Sequence, residues 1–264
     1  MPANDIRLLV RADDLGSSWA SNMGCLEACT NGIVRSVEVM MPCAWVAHAA
    51  RLLQDHPEID VGIHLTLTSE WDDVKWRPLT QAPSLIDGHG NFLPLLIPRD
   101  DCDRPDLQSS AWKIDDIAAE FRAQIELGKS LFPRASHISS HMTRHFRDFD
   151  SAVGDLVGDL CAEFDLKDDP LGDTVPMVPL YPKFPRDPAA REQSLIDSLG
   201  SLQPGTYIFV DHPAVKSAEL RATGHEGYRD VEDDRASCLE VLTSKRVKAV
   251  VQELGIELID YRSL

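Results

Sequence analysis

Short β-rich runs alternate with amphipathic stretches along most of this 264-residue chain, and that alternation confines it to the α/β class. Strands are expected at 7–11, 36–41, 60–67, 136–140, 206–210 and 256–261. Helices are expected at 18–31, 45–55, 112–132, 149–164 and 189–202, with a helical tail around 231–254. Ser17 or Ser18 suits the first helix as a cap, and Gly32 stands just past its end. Such an order predicts βα units around a parallel sheet, and about 250 residues is an ordinary size for an α/β barrel. No repeat, low-complexity segment or flexible linker divides the chain, so residues 1–264 read as one domain, a (β/α) barrel that is irregular or has fewer than eight strands. Periodicity fails over 68–110 and again over 170–188, both rich in proline. Long irregular segments inside a compact domain are commonly lids or binding loops.

Charge narrows the partners. A net charge of -17 repels phosphate backbones and anionic lipid, which argues against nucleic acid and membrane. The first ten residues lack a basic segment followed by a long apolar run, and no stretch approaches 18 apolar residues. The six cysteines form no CxxC pair and no compact framework, so reduced thiols and a cytoplasmic location are expected.

The polar residues that stand out share one position. Asp13 and Asp14 close the first strand, His64 lies late in the third, His141 follows the fourth, and His212 follows the strand at 206–210. Parallel α/β folds gather the carboxyl ends of their strands at one mouth, where catalytic groups collect. Each residue alone reads as ordinary structure: a helix cap, a core histidine, a strand end stopped by Pro213. Together, carboxylates and imidazoles make a ligand set for a divalent ion with a position left for water. His137 and His141 lie four residues apart, about 13 Å along an extended strand. The two cannot share one ion there; His141 is the better ligand and His137 sits deeper. Of the adjacent aspartates, one can ligate while its neighbour addresses a water.

The chain resembles the YdjC-type (ChbG-like) carbohydrate deacetylases. The resemblance rests on Ala12-Asp13-Asp14-Leu15-Gly16, Gly62-Ile63-His64-Leu65-Thr66-Leu67, Ser136-His137-Ile138-Ser139-Ser140-His141 and His212-Pro213-Ala214, in the family's order and across nearly the whole chain. It implies a deacetylase-type α/β barrel with a divalent ion on Asp14, His64 and His141, Asp13 as general base and His212 as the acid that protonates the departing amine. His145 matches the last histidine of the third motif, which implies a place at the substrate. Arg11 stands where the family has Asn, Leu15 where it has Phe, Ser139 where it has Asp, and Met142 and Thr143 interrupt the usual histidine run. These departures point to hydrolysis with an altered substrate preference rather than retained chitooligosaccharide specificity.

The expected reaction is therefore metal-dependent removal of an N-acetyl group from an amino sugar or oligosaccharide. Zinc suits the two-histidine, one-aspartate set, and magnesium or manganese are compatible with it. Trp71 and Trp76 are sugar-stacking candidates, or else pins that hold their loop to the barrel. Arg235 is expected to reach a site carboxylate and bind substrate, and Asp211 to favour the protonated form of His212. The cluster 230–234 reads as a solvated acidic helix start. Glu38 is either exposed or buried with a partner. Two other readings stay open: hydrolysis of another amide, an ester or a phosphate, and an inactive metal-containing carbohydrate-binding protein. A homo-oligomer is compatible with the sequence.

Overall fold

The computed structural model describes residues 5–100, 102–171, 173–178 and 187–264. Its centre is strand β1 (Ile6–Leu15), buried along nearly its whole length. β1 pairs in parallel with β2 (Ser36–Val39) on one edge and β5 (Gly205–Asp211) on the other. Beyond β2 lie β3 (Asp60–Leu65) and β4 (His137–Ser140), giving the parallel order β4-β3-β2-β1-β5. Strand β6 (Glu257–Ile259) pairs with Arg7–Leu9 while β5 holds the other edge of those residues, so β6 and β2 share one edge of β1 in tandem. At the margins Lys167 bridges His137 and Met177 bridges Ile208, with Leu171 bridging Val175 between them. Among the described residues the curve thus continues through irregular segments, and the fold is an α/β barrel with six regular strands. The second long loop, 170–188, lies partly outside the described residues.

Helices α1 (Trp19–Thr30), α2 (Val46–Gln54), α3 (Ile114–Leu131), α4 (Ser151–Phe164), α5 (Pro188–Gly200), α6 (Ala218–Arg221), α7 (Val231–Thr243) and α8 (Lys245–Glu253) accompany the sheet. Ser18 caps α1 by accepting the Ser21 N–H, and Asp150 caps α4. The helical tail divides at Ser244, whose hydroxyl accepts from Arg246 and Val247 N–H to start α8. The acidic start of α7 is only partly solvated. Asp234 turns in to an ion pair with Arg191 and accepts from the Tyr228 hydroxyl, which corrects the fully solvated reading. Among the described residues no helix is long and apolar enough to cross a membrane. All six cysteines are free, and four of them are buried.

The two-residue period of the strands sorts apolar from polar side chains. Leu8, Val10 and Ala12, Val37 and Val39, Val61, Ile63 and Leu65, and Ile138 join one large core that includes helix residues such as Ala28, Phe121 and Val157. The alternate residues face the other way. A small apolar cluster of Leu9, Ile208, Val210, Ile259 and Tyr261 fills one part of that inner side. The rest is polar: Arg11, Glu38, His64, His137 and Ser139, all buried. Register aligns Glu38 with Gly62 and Gly62 with His137 on three successive strands. Because Gly62 has no side chain, Glu38 and His137 meet across it, with Glu38 Oε1 2.8 Å from His137 Nε2.

Candidate metal centre

Asp14 has φ +68° at the end of β1, where the register with β2 shifts. A non-glycine residue in this left-handed region costs roughly 1–2 kcal/mol, and such residues cluster at functional sites. The turn is held by Ser17, whose N–H and hydroxyl both donate to the Asp14 carbonyl, at 3.2 and 2.7 Å. Its effect is to break the alternation, so that the adjacent Asp13 and Asp14 both line one cavity. His141 follows β4, its N–H donating to the Leu65 carbonyl, and Met142 after it is also left-handed.

Asp14, His64 and His141, all buried, each offer a ligand atom, and these atoms lie within 4.8 Å of one another. Asp14 Oδ1 is 3.8 Å from His64 Nε2 and 3.3 Å from His141 Nδ1. That oxygen is buried and accepts no hydrogen bond. The other, Oδ2, accepts from Arg235 Nη1 at 2.7 Å. The outer nitrogen of each imidazole is engaged: His141 Nε2 by Glu70 at 3.1 Å, His64 Nδ1 by the Ser139 hydroxyl at 2.7 Å. Glu70 accepts only, so His141 carries its proton on Nε2 and turns a lone pair on Nδ1 inward whenever it is neutral. An orphaned buried carboxylate oxygen facing two inward imidazole nitrogens fits a divalent ion.

Burial and neighbouring charges drive the proton affinities of these groups apart. Burial alone would lower the His141 imidazole, but Glu70 and Asp14 push it up to about 10. His64 goes the opposite way, held well below its usual value by burial and then by His141. Against burial, Arg235, His212 and His141 hold Asp14 well below the usual carboxylate range. Asp13 is pushed up to about 6 by burial, against the pull of Arg11 and His212. Arg11 grips Asp13 with Nε 2.8 Å from Oδ1 and Nη2 donating to Oδ2 at 3.1 Å; Oδ2 also lies 3.8 Å from His64 Nε2. Arg11 is itself anchored by Asp169 and the Tyr261 hydroxyl.

The cavity, of about 570 Å³, is lined by Asp13, Asp14, His64, His141, His212, Arg235 and Trp71 among others. Arg235 reaches Asp14 as expected, and its guanidinium lies 5.6 Å over the Trp71 ring, which also stacks on His225. Trp76 and His145 do not line this cavity. The Trp76 indole is buried, donates to the Thr68 carbonyl at 2.6 Å and meets His141 edge-on, so it pins its loop behind His141. His145 caps a short turn by accepting the Arg147 N–H, and its Nε2 lies 3.1 Å from Asp168. Asp211 accepts the backbone N–H of His212 and not its ring. Burial and then Arg235 lower the His212 imidazole, and the carboxylates that raise it are Asp14 and Asp13. The expected support from Asp211 is therefore corrected. Glu70 was missed in sequence; the available signal was an acid just past the β3 strand end.

The family profile described as YdjC-like protein matches residues 7–253. The chain is 34% identical over 261 residues to a carbohydrate deacetylase of Geobacillus stearothermophilus, covering 96% of each chain. Its fold is similar to that of an Enterococcus faecalis protein provisionally named a cellobiose-phosphate cleavage protein, with TM-score 0.77, 22% identity and 98% of both chains covered. It is also similar to the catalytic domain of the peptidoglycan N-acetylglucosamine deacetylase of Eubacterium rectale, with TM-score 0.54, 10% identity, 98% of this chain and 90% of that one.

Proposed function

This chain belongs to the YdjC-like family, and on that premise we propose that it is a metal-dependent deacetylase that hydrolyses the N-acetyl group of an amino sugar or oligosaccharide. Asp14, His64 and His141 would hold a divalent ion, with zinc the best match to two imidazoles and one carboxylate. The observation that carries this reading is the orphaned Asp14 Oδ1 between the inward nitrogens of two histidines whose outer nitrogens are engaged. When bound, the ion supplies polarisation of the acetyl carbonyl and acidification of water.

The remaining steps belong to the chain's own residues. Asp13 takes the proton of the attacking water; Arg11 fixes its orientation, and burial raises its proton affinity. His212, in the wall of the same cavity, delivers a proton to the departing amine. Burial and Arg235 lower its proton affinity, which favours giving that proton up, and the proton that Asp13 takes from the water balances it over the turnover. Arg235 holds Asp14 in place, and Trp71 contributes an aromatic wall. The cavity is of a size that takes a small carbohydrate.

A panel of N-acetylglucosamine oligomers, an O-acetyl ester and a phosphate monoester, each incubated with zinc-loaded protein, tests the reaction class. Acetate release from the N-acetylated sugars is expected. Turnover of the phosphate or ester alone would replace this reading with hydrolysis of another bond, and a silent panel with retained sugar binding would make the protein a binder.

A further inference from the structure

His141 has a carboxylate directly on its outer nitrogen, whereas His64 has only the hydroxyl of Ser139. A hydroxyl both donates and accepts, so by itself it does not decide which nitrogen of His64 carries the proton. Resting on the metal-centre reading above, we infer that Glu38, acting through Ser139, fixes His64 as its Nδ1–H tautomer and so keeps Nε2 free to ligate.

The direction of every hydrogen bond in this buried chain follows from acceptor-only carboxylates placed along it. The Ser136 hydroxyl donates to Asp60 Oδ1 at 2.8 Å, so its oxygen accepts from His137 Nδ1, also at 2.8 Å. His137 Nε2 donates to Glu38 Oε1. His137 thus carries protons on both nitrogens and balances the Glu38 charge in a space with no exposure. The second Glu38 oxygen accepts the hydroxyl proton of Ser139. With its only proton committed, Ser139 faces His64 Nδ1 as an acceptor, and His64 must donate. If the Ser139 proton pointed at His64 instead, an oxygen lone pair would face a buried carboxylate at contact distance, a repulsion with no water to relieve it. His64 Nε2 then carries the lone pair, and it is this nitrogen that faces Asp14 Oδ1. Glu38 and Ser139 are positioning residues: a carboxylate on β2 reaches the ligand on the adjacent β3 through one hydroxyl on β4. The Ser139 position is thereby supplied with negative charge from β2, two strands away.

The experiment uses metal-free, 15N-histidine-labelled protein, with His64 assigned by a His64→Gln variant and its tautomer read from long-range 1H–15N correlations. Zinc affinity is measured on the same samples by competition with a chelator. The native protein is expected to show His64 protonated at Nδ1. Ser139→Ala should shift His64 toward Nε2–H and weaken zinc binding about 10–100-fold. The double variant Glu38→Gln/Ser139→Asp puts the carboxylate directly on Nδ1 and leaves an amide to satisfy both the new carboxylate and His137. It should restore the tautomer and bring affinity back toward the native value, which a role in packing alone would not do. An Nε2–H tautomer in the native protein, or an unchanged tautomer in Ser139→Ala, would overturn the inference. So would a folded double variant that binds zinc no better than Ser139→Ala. A native Nδ1–H tautomer without zinc affinity upholds the relay and sinks the metal-centre reading instead.

Discussion

Gly62 offers a sharp test of the buried polar layer beneath the site, because the same substitution elsewhere in the chain should have the opposite sign. A Cβ at position 62 would lie 2.1 Å from Glu38 Oε2 and 2.3 Å from His137 Nε2. Ordinary carbon contacts lie at ~3.5–4 Å, so each group must retreat by more than about 1 Å. That movement opens the 2.8 Å contact between Glu38 and His137, the two partners of a fully buried ion pair. Breaking such a pair costs about 3–5 kcal/mol, and crowding a packed interior adds to it. At roughly 2–4 °C per kcal/mol for a chain of this size, Gly62→Ala should lower Tm by about 6–20 °C. Gly158, in helix α4, is the control: a Cβ there meets nothing within 4 Å. Gly158→Ala should therefore stabilise by roughly 0.5–1 kcal/mol through helix propensity. Thermal and urea unfolding followed by circular dichroism measure both. A Gly62→Ala protein within about 1 kcal/mol of native would refute the claim that Glu38 and His137 need that gap.

The same pair predicts a pH dependence. His137 draws Glu38 from its usual 4.5 down to about 2 against the effect of burial, so its contribution is present above 4.5 and is lost as pH falls toward 2. At 1.36 kcal/mol per unit this is on the order of 3 kcal/mol. His137 is raised, so its own contribution is present below 6.5 and fades as pH rises through the higher folded value. Urea unfolding at pH 3 and pH 5 should show the loss, and Glu38→Gln should flatten it; an unflattened profile would locate the acid sensitivity elsewhere. His145→Ala should cost about 1 kcal/mol through the lost cap while leaving kcat/KM for the preferred sugar nearly unchanged. A large fall in kcat/KM with stability intact would return His145 to the substrate.

Much of this arrangement was legible in the residues. The strand-end rule brought Asp13, Asp14, His64, His141 and His212 to one cavity wall, because parallel strands share their carboxyl ends. Helix α1 began where its cap predicted, at Ser18. What escaped depends on side-chain direction in three dimensions. His145 and Trp76 lie near His141 in the chain or in space, yet each turns away from the cavity toward partners of its own, Asp168 and the Thr68 carbonyl. Glu38 could not be assigned from an apolar run, since its partner His137 lies 99 residues away and meets it only across the missing side chain of Gly62. The left-handed Asp14 also has no signature in an Asp-Asp pair, although it is what turns both carboxylates to one cavity.

The most direct test of the central claim pairs bound-metal content with acetate release from N-acetylglucosamine oligomers for the native chain, His64→Ala and Asp13→Ala. The native protein should hold one divalent ion and turn over, His64→Ala should lose both, and Asp13→Ala should retain metal without turnover. Native protein that takes up no divalent ion and stays silent on the panel with added metals would contradict that claim.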